Sequence, residues 1–294
     1  MYHDAASFWP NDASAQPVVL HLFSGPADRP DGLAHHLSQY GIKVVEVDKD
    51  SSVRLGIPTS ECDLAGDALW QMLLADLAAG KYAGLFLGTP CDTFSAAKSV
   101  TDGGPRPLRT LEHLYGLPRK SPQRPDGLSP KELELVKQGT YFAVRSAEAL
   151  RSAAQAYIPT GLENPRPWDG KPSLFLLQEF VKLLQDMPWI HTVDFDQCVH
   201  GAETTKPTRV IYANMDLSTL SGQCHHPPKW HQFLDLNMRP AWHWGPHPPL
   251  KGRRREDGSF ATKSAAAYPS EMYSIIADSL QRSIWERQGP AARQ

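Results

Sequence analysis

Short apolar runs alternate with amphipathic stretches along most of this 294-residue chain. That alternation constrains the fold more than any other feature. The runs "PVVLHLF" (17–23), "KVVEVD" (43–48), "YAGLFLG" (82–88), "YIPTGLEN" (157–164), "WIHTVDFDQC" (189–198) and "KPTRVIYAN" (206–214) have strand length and strand composition. Between them lie helical spacings: Leu33 and Leu37 within 31–40, then Leu69, Leu73 and Leu77 within 67–79. Ser129-Pro130-Lys131-Glu132 has the form of a capping box with proline in the first turn. It opens a helix predicted to run to 155, and 172–187 and 270–284 predict two more. The pattern predicts an α/β fold, a doubly wound and mostly parallel sheet. Residues 215–262 break the alternation, being rich in Trp, His, Pro and Arg. The expected organisation is a main domain over 1–214, a small irregular lobe over 215–262 and a returning helix within 263–294.

In doubly wound sheets, ligands sit outside the carboxyl ends of the strands. Gly25, Glu46, Asp48, Asp63, Cys91 and Glu163 fall at or just beyond predicted strand ends and so should share one edge. Within "LFLGTPCDTFS" (85–95), Cys91 follows the strand on a turn, whereas a packing cysteine belongs inside the run, at Leu85 or Leu87. A buried structural thiol is the plainer alternative. After "LHLFSG" (20–25) backbone can approach a ligand closely and Phe23 can lie against an adenine, although a tight βα turn needs the same residues. Glu46 and Asp48 are placed to accept from ribose hydroxyls, or are a solvated strand end. Asp63 either accepts from an adenine amino group or caps the following helix.

"GTPCDTFS" (88–95) resembles the catalytic loop of the cytosine-5 methyltransferases, a Pro-Pro-Cys followed shortly by Phe-Ser. "LENP" (162–165) resembles the Glu-Asn-Val element of the same family, and the order of glycine turn, acids, Pro-Cys, Glu-Asn and an arginine-bearing strand agrees over 17–212. The resemblance implies a Rossmann-like methyltransferase using S-adenosylmethionine, held by Phe23, Ser24, Gly25, Glu46, Val47, Asp48, Asp63, Leu64, Gly88 and Pro90. It implies methyl transfer to C5 of cytosine in DNA, with Cys91 as nucleophile, Glu163 assisting at N3, Asn164 fixing the turn and Arg209 contacting the base or its phosphate. The chain departs from the family at Thr89, at Pro165 and in Lys206 with Arg209 where an Arg-x-Arg pair is expected. "AAAYPSEM" (265–272) also stands where the family has a Gly-Asn element.

The chemistry is coherent. Cytosine C5 is too weak a nucleophile for a sulfonium methyl, and thiolate addition at C6 converts the ring to an enamine that reacts at C5. A duplex base must be extruded first. The segment after Cys91 offers Ser95, Arg106, Arg109, Arg119 and Lys120 for phosphates, with Lys206, Arg253 and Arg254 further on. For any one of these, a solvated surface charge is the simpler reading. "CHHPPKWH" (224–231) is expected either to contact nucleic acid or, with Cys198, to supply zinc ligands from Cys224, His226 and His231. No metal is required by the leading reading.

Bulk properties exclude little. A formal charge of −2 neither requires nor forbids a polyanion. The four cysteines lack a CxxC pair or a disulfide spacing, the first sixteen residues do not resemble a signal peptide, and no apolar stretch has membrane length. The expectation is a monomeric cytoplasmic protein. Three rivals remain: the same chemistry on RNA or with another alkyl donor, a catalytically silent nucleic-acid-binding module, and a thiol enzyme pairing Cys91 with a distant histidine such as His21, His35 or His200.

Overall fold

The computed structural model describes residues 16–27, 29–94, 106–118, 120–121, 125–226, 231–234, 240–244, 247 and 267–288. All six expected strands form: β1 (Val18–Leu22), β2 (Lys43–Val47), β3 (Gly84–Leu87), β4 (Thr160–Pro165), β5 (His191–Asp196) and β6 (Pro207–Ala213). They make one sheet in the order β2-β1-β3-β4-β6-β5. β1 to β4 pair in parallel, while β6 runs antiparallel to both of its neighbours. The result is a six-stranded mixed sheet, mostly parallel.

Both faces are covered. On one, α3 (Asp67–Ala78), α4 (Pro130–Gln155) and α5 (Gln178–Asp186) bury Trp70, Leu73, Leu150, Phe180 and Leu183 against Leu20, Leu22 and Leu162. On the other, α1 (Leu33–Ser38) and α6 (Ser270–Gln288) pack Leu33, Leu37, Met272 and Ile276 onto Val19, Phe86 and Val210. The strands read as nearly continuous apolar runs because both faces are buried. α4 starts as its sequence dictates: the Ser129 side chain accepts from the Glu132 amide and the Glu132 carboxylate accepts from Ser129.

A short helix, α2 (Lys49–Leu55), follows β2 directly and is capped by Asp48. Leu217 and Leu220 pack under the main sheet with Phe195, so the segment just after β6 belongs to that core. Within the lobe, β7 (His231–Leu234) and β8 (Pro240–Trp244) form a separate antiparallel hairpin. No helix among the described residues is long and apolar enough to cross a membrane.

Candidate active site

The strand order reverses between β1 and β3, since β2 lies outside β1 and β4 outside β3. At such a switch point the two connections leave in opposite directions and open a crevice. A cavity of about 290 Å³ lies there, lined among others by Phe23, Asp48, Asp63, Leu64, Pro90 and Phe142. Five of these six are expected cofactor residues.

The crevice walls are built by unusual backbone. Phe23 holds a positive φ of 55° directly after β1, and its ring meets Phe142 edge-on at 5.1 Å. Gly25 follows at φ 73° and donates its amide to Asp48 Oδ2 at 3.2 Å. Gly88 brings the β3 turn so close to β1 that a Cβ would lie 2.8 Å from the Phe23 carbonyl. Only glycine permits that approach.

Asp48 has a structural task as well, accepting the Asp50 amide at 2.8 Å to cap α2, and its burial pushes its carboxyl pKa up. Asp63 accepts the Ala65 amide at 3.0 Å and pairs with Lys49 at 3.3 Å, so it shapes the turn before α3 while facing the cavity. Ser24 shares a hydrogen bond with Ser51 at 3.2 Å. Val47 packs into the core, and Glu46 points to the opposite face of the sheet, 3.8 Å from His21 Nδ1. Strand alternation explains the split, because Val45 and Val47 flank Glu46 and face the cavity side.

Cys91 lies just beyond Pro90, half-buried. Burial pushes its thiol up to about 11, Lys206 pulls it down, and Glu163 and Asp92 push it further up. Glu163, near the end of β4, is 3 % exposed. Its Oε2 accepts from the Tyr268 hydroxyl, while Oε1 has no hydrogen-bond partner and stands 3.8 Å from Lys206 Nζ. Lys206 sits over the Tyr268 ring at 4.8 Å and holds a strained φ of 31°. Burial raises the Tyr268 hydroxyl well above its ordinary pKa, with Glu163 and Cys91 adding to it, so it stays a donor. The structure thus brings Cys91, Glu163, Lys206 and Tyr268 together at one sheet edge.

Asn164 points to the other face of β4 and donates to the Thr89 carbonyl at 2.8 Å, tying β4 to the cysteine turn.

The arginines separate. Arg209, expected at the target base, makes a bidentate pair with Asp194 at 2.6 and 2.8 Å. It shares the face of Asn164, not that of Glu163, because its register partner in β4 is Asn164. Lys206, expected at phosphate, takes the place beside Glu163 instead. Arg109 corrects the reading more sharply. It is 1 % exposed, bonded to Thr93, Thr140 and the carbonyls of Leu114 and Val136, and stacked on Phe94 at 3.9 Å. A guanidinium so enclosed cannot grip a phosphate; it pins the cysteine turn to α4. Arg106 is exposed near Asp126, and Lys120 is exposed. Ser95, Arg119, Arg253 and Arg254 lie outside the described residues.

Sequence reading missed Tyr268, for which a lone tyrosine in "AAAYPSEM" gave no periodic signal. It also missed one member of a cluster just beyond the end of β5, where Cys198, Cys224, His226 and His247 come together. His231, the expected fourth member, lies in β7, and its side chain is outside what the structure describes. The histidines offered as partners for Cys91 are engaged elsewhere. His21 is wedged edge-on between Phe86 and Tyr273, His35 lies beside Gln39 on the surface, and His200 donates to the Leu220 carbonyl. Compared with known proteins, the chain matches no family model and no curated sequence.

Proposed function

We propose that the protein is an S-adenosylmethionine-dependent methyltransferase that modifies C5 of cytosine in DNA through a covalent adduct at Cys91. One observation carries this reading: Glu163 Oε1 is a buried carboxyl oxygen without a hydrogen-bond partner, beside a thiol within electrostatic reach. Buried acceptors are seldom left unpaired, and one that is calls for a reason, of which a bound ligand is one. A pyrimidine edge, with its N3 and exocyclic amine, is a ligand that suits this oxygen.

The cavity suits the cofactor. Phe23 and Phe142 offer aromatic surface for an adenine, and Asp48 and Asp63 offer acceptors for its hydroxyl and amino groups. S-adenosylmethionine bound there supplies an electrophilic methyl group.

The chain's residues do the rest. The Cys91 thiol would give its proton to water and Sγ would bond to C6, placing on the ring an electron pair that C5 would use to take the methyl, the pair of the broken S–CH3 bond staying on the donor's sulfur as a neutral thioether. Glu163 would act as an acid, passing a proton to N3 as negative charge develops there and taking it back when the ring is restored, with the Lys206 ammonium beside it and the Tyr268 hydroxyl keeping the carboxyl aligned. Loss of the C5 proton to a water base then returns electrons to the ring, expelling the thiolate. Asn164 keeps the two strand ends in register throughout.

Incubating the protein with tritiated S-adenosylmethionine and either random-sequence duplex DNA or transfer RNA tests the proposal. Label in DNA, mapped to 5-methylcytosine, is the expected result. Label confined to RNA moves the chemistry to RNA, and label in neither refutes it.

A further inference from the structure

Cys198, Cys224, His226 and His247 each offer one ligand atom, and the four atoms lie within 4.8 Å of one another. We infer that they form a closed tetrahedral zinc site that fastens the β7–β8 hairpin to the main domain, an inference that does not depend on the methyl-transfer reading.

The distances fit. Cys224 Sγ lies 3.4 Å from His226 Nδ1 and 3.3 Å from His247 Nε2. Bonds of about 2.3 Å to sulfur and about 2.0 Å to nitrogen put neighbouring ligands of a tetrahedral zinc about 3.5 Å apart. Hydrogen bonding explains the cluster less well, since one S–H can donate to only one of two imidazoles, while one cation satisfies both.

The surroundings are prepared for a metal. His247 Nδ1 lies 2.8 Å from the Glu203 carbonyl, which can only accept. The proton therefore sits on Nδ1, leaving the Nε2 lone pair aimed at the cluster, as outer partners of metal-bound histidines do. Cys224 Sγ accepts the His226 amide at 3.4 Å, and the Cys224 amide is itself held by Asp196 Oδ2 at 2.8 Å. The two imidazoles stand 4.0 Å apart, centre to centre.

Two thiolates with two imidazoles favour zinc over magnesium or calcium, and four protein ligands leave no open coordination position. The role is structural. Cys198 sits on the short 3-10 helix Gln197–His200 that follows β5, Cys224 and His226 precede β7, and His247 follows β8. One ion therefore clasps both ends of the hairpin to the turn after β5. Through Glu203 it also braces the loop that ends at Lys206.

The test loads the full-length reduced chain with zinc sulfate, dialyses it against metal-free buffer and measures zinc by elemental analysis. About one zinc per chain is expected. Cobalt titration of the stripped chain should give the visible absorption of tetrahedral Co(II) with a thiolate charge-transfer band. His247→Ala and Cys198→Ser should each weaken zinc binding by more than about 100-fold, as losing a ligand exceeds losing an outer partner. His231→Ala should retain the metal. A wild-type chain without zinc and without the cobalt spectrum overturns the assignment, whatever the variants do. So does undiminished zinc in His247→Ala, or a Cys198–Cys224 disulfide in the freshly purified chain.

Discussion

The Cys91 thiol is protonated at neutral pH because its burial outweighs the pull of Lys206. With a pKa of about 11, its thiolate fraction grows about tenfold for each unit that the pH rises toward that value, so iodoacetamide should alkylate it at a rate that climbs about tenfold per unit from pH 7 to 10. Lys206→Met removes the cation that lowers the pKa and should slow alkylation at fixed pH, whereas Glu163→Gln removes a repelling charge and should hasten it. Mass spectrometry of the Cys91 peptide reads both. Tyr268→Phe deletes the donor to Glu163 Oε2 while leaving the ring under Lys206. Losing a hydrogen bond to a charged group should lower kcat for methyl transfer by about 10- to 100-fold, with KM for the donor unchanged. An equal loss in KM would place Tyr268 in cofactor binding instead. The strand-end placement of Cys91 and Glu163 was legible in the sequence, but Glu46 shared that placement and faces away, and only the resemblance of "GTPCDTFS" and "LENP" singled the two out. Tyr268 was not legible, since nothing local to it records that the chain returns to this edge before α6.

At the scale of elements, the turn after β3 is held from two sides, by Asn164 from β4 and by Arg109 from the loop ahead of α4. Arg109→Met should destabilise the fold by about 3 kcal/mol in urea, because buried carbonyls at Leu114 and Val136 lose their guanidinium donors. DNA affinity per folded molecule should not change, and a variant of full stability with weakened DNA binding would restore the phosphate role. The sequence misled here for a physical reason: charge and proline content in 105–124 describe a surface loop, whereas burial is decided by what packs over it. α2 escaped notice because "KDSSVRL" is short and polar, with its start written only in the Asp48 cap. β7 and β8 were hidden in a proline-rich stretch, and with them the reason that His247, beyond the hairpin, reaches Cys224. Ligand spacing is read along the chain, but a hairpin sets it across the chain.

At the scale of the whole molecule, every strand of the main sheet was visible as an apolar run, but the reversal of β6 was not, because burial on both faces writes the same composition in either direction. The double layer also buries His21 between β1 and α6, at 1 % exposure, and holds its pKa near 3 against an ordinary 6.5. Between those values the unfolded chain binds a proton that the folded chain refuses. Stability is therefore lost as the pH falls from 6.5 toward 3, by up to about 1.4 kcal/mol per unit from this residue. His21→Phe should flatten the pH dependence of unfolding between pH 5 and 6.5 by about one proton, and equal slopes in the two proteins would show that His21 titrates normally.

The edge that gathers Cys91, Glu163, Lys206 and Tyr268 matters only if sulfur and carboxyl meet a single ring. A duplex oligonucleotide carrying 5-fluorocytosine tests this directly, because fluorine at C5 blocks the final elimination and strands the adduct. With S-adenosylmethionine present, the wild-type chain should carry the oligonucleotide through a denaturing gel, and Cys91→Ala should carry none. Methyl transfer that survives undiminished in Cys91→Ala, or an adduct that maps to another residue, would contradict it.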